Sequence, residues 1–163
     1  MKKNANIIGP WAVLASIAVL LVFLYRCGLN LMALRCILLC NVLIFAGACD
    51  AATYEIPDSI HVMLLAVGLI GIQPIPALLG LLLVPMPFLL AALMTDGRIG
   101  GGDVKLMAAS GFAIGVTGGI TMMLWGLGSA LVWNAAFSKG QKSLPLAPFL
   151  AFGCFMALLI KTQ

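Results

Sequence analysis

A chain of 163 residues that is 63% hydrophobic and only 9% charged, with a mean hydropathy of +1.17, is not an ordinary water-soluble domain. Its net charge of +4 comes from nine scattered Lys and Arg residues rather than a basic patch interleaved with aromatics, so nothing points to nucleic acid as a partner. With each crossing taking about 20 apolar residues, the length fits one all-α polytopic bundle of six or seven transmembrane spans in a lipid bilayer, with no separate soluble domain.

The chain opens with Met1-Lys2-Lys3 and an apolar run from Ile7 to Leu24, which imitates a secretory signal. The run is long for a signal core, and Tyr25-Arg26-Cys27 offers no small-x-small cleavage site, so a retained first span over about 7–25 is expected. Arg26 also stands where a lipoprotein-style reading of Cys27 would want a small residue. The second span covers 32–49, or begins only at Cys36 with Arg26 to Arg35 as a connection, because Arg35 interrupts the run. Further spans are expected at 60–73, 76–94, 104–118, 119–137 and 145–160. With seven spans and a cytoplasmic N-terminus, Lys2, Lys3, Arg98, Lys105, Lys139 and Lys142 lie inside and Arg26, Arg35 and Lys161 outside, as the positive-inside rule prefers.

Gly111, Gly115 and Gly119 recur every fourth residue and read as a stripe on which another helix packs closely. The five cysteines show no CxxC pair and read as small apolar packing residues. With one histidine, no zinc site or other metal or cofactor is expected. That histidine, His61, stands where the third span begins and reads as an interfacial residue. Trp11, Trp125 and Trp133 read as interfacial anchors or packing groups.

All five carboxylates, Asp50, Glu55, Asp58, Asp96 and Asp103, fall in two polar junctions, 50–58 and 95–103. Two spans separate the junctions, so both open on the same face, which the charge count makes cytoplasmic. Carboxylates at a membrane boundary are costly unless hydrated or paired, and are functional candidates. Asp50 directly follows an apolar run and Asp103 directly precedes one, whereas Glu55, Asp58 and Asp96 read as solvated loop residues. Two carboxylates brought together retain one proton between them, so one serves as base and the other as acid. Such a pair cleaves peptide bonds with an activated water. The glycines of Gly97-Arg98-Ile99-Gly100-Gly101-Gly102-Asp103 are expected to take positive φ and let an extended peptide lie against the carboxylate.

The stretch Ile99-Gly100-Gly101-Gly102-Asp103-Val104-Lys105-Leu106-Met107-Ala108 resembles the GxGD motif of type IV prepilin peptidases. Asp50 followed by Ile56-Pro57-Asp58 is similar to that family's other signature, and Leu144-Pro145-Leu146-Ala147-Pro148-Phe149 to its closing proline-rich helix start. The three stand in the family's order over about residues 36–160. The resemblance implies a catalytic core over that range, with 7–25 as an additional span. It implies Asp50 and Asp103 as catalytic aspartates, and Gly100, Gly102, Pro57, Asp58 and Lys105 as residues that shape the loop or meet the substrate. It implies a cell-membrane enzyme that removes the basic leader of type IV prepilins or pseudopilins at the cytoplasmic face, serving pilus or type II secretion machinery indirectly. Arg98 and Lys105 are placed either to meet acidic groups near the cleavage point or to snorkel to headgroups. No cysteine-rich cytoplasmic region is present, so no N-methyltransferase activity is expected.

Two alternatives use the same carboxylates. Presenilin and signal-peptide-peptidase proteins share the GxGD pattern, but they place a Pro-Ala-Leu string after it, whereas Pro76-Ala77-Leu78 lies before Asp103. A proton-coupled transporter would bury isolated carboxylates near the bilayer midplane, not at helix ends beside glycines.

Overall fold

The computed structural model describes residues 9–94, 100–137 and 144–161, and among them every regular element is a helix. Pro10 opens α1 (Pro10–Cys27), where its missing N–H and fixed φ suit a first turn, and Gly28 closes it at φ 64°. Asn30 caps α2 (Leu31–Thr53), its side chain accepting from Ala33 N at 2.7 Å. A polar cap at that point lets α2 start four residues before Arg35 instead of waiting for Cys36. α3 (Asp58–Gly68) follows Pro57, then α4 (Pro74–Leu83), α5 (Met86–Met94), α6 (Gly101–Phe137) and α7 (Ala147–Lys161). Four helices are long and apolar enough to cross a membrane by length and composition, with α4 and α5 together forming one of the four, and α3 and α7 are shorter apolar helices. Large apolar side chains such as Leu14, Leu78, Leu90, Leu124 and Val132 lie exposed, as expected of a surface that meets lipid.

The spans expected at 104–118 and 119–137 emerge as one 37-residue helix with a single non-helical residue, Gly115, at φ 77° and ψ 179°. Only glycine reaches that conformation without a Cβ penalty. Contacts on either side show that the two arms of α6 run in opposite directions. Ile114 O accepts from Lys161 Nζ at 3.3 Å, at the far end of α7. Beyond the break, Met122 lies against Gly153, Gly126 against Leu150, and the Trp133 ring 6.2 Å from Phe149, near the start of α7. Val84 of the α4–α5 corner touches both Gly111 and Gly119, which an unbroken helix would hold about 12 Å apart. The glycine stripe is the seat of α4. A Cβ on Gly80 would stand 2.7 Å from the carbonyl carbon of Gly111.

Arg35 ties the bundle together at the end where α6 turns. Its guanidinium donates to Gly71 O at 3.0 Å, Gly68 O at 3.3 Å and Ala113 O, carbonyls left open where α3 and the first arm of α6 end. Hydrogen bonds from a charged donor contribute about 1.5–3 kcal/mol each in favourable sites. Arg35→Met is therefore expected to lower stability by about 2–4 kcal/mol, read as a lower unfolding midpoint in detergent; an unchanged midpoint would mean that water replaces the guanidinium without loss.

Candidate active site

Asp50 lies in the last turn of α2, where a run of small and apolar residues, Ala46-Gly47-Ala48-Cys49, is buried with it. Its own exposure is only 7%. Asp50 Oδ2 accepts the backbone N–H of Ala147, the first residue of α7, at 2.9 Å. A helix N-terminus carries orphan N–H groups and the positive end of the dipole, so an acidic side chain is stabilised there. Gly47 makes the approach possible: a Cβ at that position would stand 2.9 Å from Pro148 Cα.

Asp103 sits in the first turn of α6, its N–H bonded to Gly100 O at 3.0 Å. Asp50 and Asp103 line one cleft of about 340 Å³ at the end of the bundle away from Arg35 and Lys161. The exposed residues Tyr54, Glu55 and Gly101 stand at its edge. Asp103 Oδ1 is buried and accepts no hydrogen bond from any described residue. A buried acceptor left without a partner is uncommon, and no described residue satisfies this one. A larger groove of about 780 Å³ between the second arm of α6 and α7 is lined chiefly by apolar side chains such as Leu124, Trp125 and Phe149, with no ionisable group among its described lining residues, so the acidic cleft is the candidate for chemistry.

The two polar junctions interlock residue by residue. Pro57 stands at the N-cap of α3, its carbonyl accepting from Ile60 N. Ile56 packs toward Gly102, where an added Cβ would lie 3.6 Å from the isoleucine side chain. Asp58 accepts from Lys105 Nζ at 2.8 Å. Lys105, itself part of the cleft lining, is thus paired within the protein. Asp58 is 79% exposed yet paired, not simply solvated.

Gly100, Gly101 and Gly102 do not take positive φ; among the described residues that conformation belongs to Gly28, Gly71, Gly115 and Tyr54. Gly101 and Gly102 are already helical, so their contribution is space: a Cβ on Gly101 would meet nothing within 4 Å. His61, read from the sequence as interfacial, is instead buried, with Nε2 3.1 Å from Gly102 O. Its role had no signal beyond its place three residues after Asp58, and the Ala147 N–H donor had none in side-chain chemistry. Asp96 and Arg98 lie outside the described residues. Among the described residues no three metal-ligating side chains cluster.

The model of the type IV leader peptidase family matches residues 37–161. The chain belongs to this family. Both cleft aspartates, the Ile56-Pro57-Asp58 junction and the head of α7 lie inside the matched range, while α1 and the first turns of α2 precede it. Type IV leader peptidases are membrane proteases, so the family supports leader-peptidase activity on a prepilin-type substrate, and the apolar helices fit a membrane location. Neither the search of curated proteins nor that of solved structures returned a match.

Proposed function

We propose that the chain is an aspartic endopeptidase, a single membrane domain that removes the leader of type IV prepilins or pseudopilins, with Asp50 and Asp103 as its acid/base pair. The observation that carries this reading is the shared cleft, in which both carboxylates stand and one oxygen of Asp103 has no partner among the described residues. Asp50, facing an N–H that can only donate, acts as the ionised base and takes a proton from the attacking water. Asp103 holds the pair's proton and donates it to the scissile carbonyl oxygen as the tetrahedral intermediate forms. Collapse of that intermediate breaks the C–N bond: the proton collected by Asp50 passes to the leaving amine, and a hydroxyl of the intermediate returns its proton to Asp103 as the new carboxyl group forms. The open side of Gly101 lets an extended peptide lie against Asp103.

The opposed arms of α6 support counting them as two crossings. With α1, α2, α3, α4 plus α5, and α7, this gives seven, six of them belonging to the core and α1 additional. On this count two crossings precede Asp50 and four precede Asp103, so the cleft shares the face of the N-terminus, and the charge balance of the sequence favours the cytoplasm for that face. Phe23 of α1 packs edge-to-face on Phe155 of α7, ring centroids 5.9 Å apart, as fits a retained span.

Membranes containing the chain, mixed with a panel of leader-bearing prepilins and pseudopilins, test the reading. Release of a leader-sized peptide from at least one substrate is expected. Failure on every substrate, together with proton passage across liposomes, would replace peptidase by proton-coupled transport.

A further inference from the structure

We propose that His61 is a positioning residue that fixes the turn of α6 carrying Asp103 and thereby sets the rate of peptide cleavage without touching substrate. The inference rests on the reading of Asp50 and Asp103 as the catalytic pair.

Gly102 directly precedes Asp103, so any rotation of its peptide swings the carboxylate. Two hydrogen bonds join α3 to the first turns of α6 among the described residues. Lys105 to Asp58 is exposed, and exposed pairs hold geometry weakly. His61 to Gly102 O, at 3.1 Å, comes from a side chain with 7% exposure. A carbonyl only accepts, so Nε2 carries the hydrogen, which in the neutral ring leaves Nδ1 as an acceptor. Nδ1 is buried without a hydrogen-bond partner among the described residues, Asp58 Oδ1 at 3.6 Å being too distant for one. Ile60 and Leu64, its neighbours along α3, are fully buried, so this stretch of the helix is packed against protein. An imidazole with one ring nitrogen unsatisfied in a buried site is a poor choice for stability alone, since an apolar side chain there would leave no orphan acceptor. The bond to Gly102 O is what a leucine cannot supply.

The test compares purified full-length wild type, His61→Leu, His61→Gln and Asp103→Asn on a leader-bearing prepilin, with Val62→Ala, on the exposed side of α3, as control. His61→Leu is expected to lower kcat about 10- to 100-fold, the scale of an ångström-level misplacement of a catalytic group. KM should stay within about threefold, because binding is not what is lost, and the unfolding midpoint should be unchanged or higher. His61→Gln keeps a donor able to reach Gly102 O and is expected to recover most of the rate. Wild-type kcat in His61→Leu, or a loss of rate matched by a falling midpoint and not relieved by His61→Gln, would overturn the proposal. Wild-type activity in Asp103→Asn would overturn the underlying pair instead, whatever His61 does.

Discussion

Asp103→Asn and Asp50→Asn are each expected to reduce leader cleavage by at least about 1,000-fold while protein level and unfolding midpoint stay near wild type. An amide keeps the shape of the carboxyl group but can neither take a proton from water nor hand one to the carbonyl oxygen, and losses of that size accompany removal of a member of a catalytic unit. The two losses should not add, because a pair sharing one proton fails as a unit. Asp50→Asn carries a second cost, since an asparagine turned the wrong way offers an NH₂ to the Ala147 N–H that Asp50 now accepts at 2.9 Å. Kinetics on the double variant decide the point: a rate far below that of either single variant would mean that the aspartates act independently.

Gly80→Val carries the largest expected effect on stability. The new Cβ would stand 2.7 Å from the Gly111 carbonyl carbon and 3.1 Å from that of Gly115, with the Gly111 oxygen closer still. The obstacle is backbone, which cannot rotate aside, so α4 must separate from the corner where α6 reverses. Overpacking of this kind costs about 3 kcal/mol or more, enough to deplete the folded protein in membranes. Gly128→Ala is the contrasting change, because its Cβ meets nothing within 4 Å and helix propensity then favours alanine by about 0.5–1 kcal/mol. Unfolding midpoints in detergent for the two variants check both signs; equal behaviour would mean that α4 is not seated on the glycine stripe.

What the sequence made legible follows from where its chemistry is concentrated. Asp50 and Asp103 stand out because a carboxylate that abuts an apolar run has no cheap explanation, and the structure brings the two into one cleft. The ends of the helices follow hydropathy within a few residues for α2 and α7. The reversal of α6 is displaced because Gly115 lies inside a stretch as apolar as its flanks: hydropathy sees no break there, and the boundary expected between residues 118 and 119 falls instead at the one glycine with φ 77°. Arg35 was read as an interruption because a sequence shows the charge but not the three carbonyls that meet it. The same blindness hid the Ala147 N–H, a backbone donor whose value depends on Gly47 admitting the head of α7. The pairing of Lys105 with Asp58 at 2.8 Å, between residues far apart in sequence, was equally hidden.

These contacts also explain why the two junctions act as one site. Ile56 touches Gly102, Asp58 binds Lys105 and His61 meets the Gly102 carbonyl, so the start of α3 is a mould for the start of α6. Asp50 is held separately by α7. Each aspartate is thus positioned by a different neighbour, and the cleft between them stays open for an extended chain.

The most direct measurement of the central claim is cleavage of a leader-bearing prepilin by the purified protein in proteoliposomes. Wild type, Asp50→Asn, Asp103→Asn and Asp96→Asn would be run side by side, with proton flux recorded in parallel. The account predicts leader release by wild type and Asp96→Asn and none detectable by the other two. Undiminished cleavage by either Asp50→Asn or Asp103→Asn, or proton flux without cleavage by wild type, would contradict it.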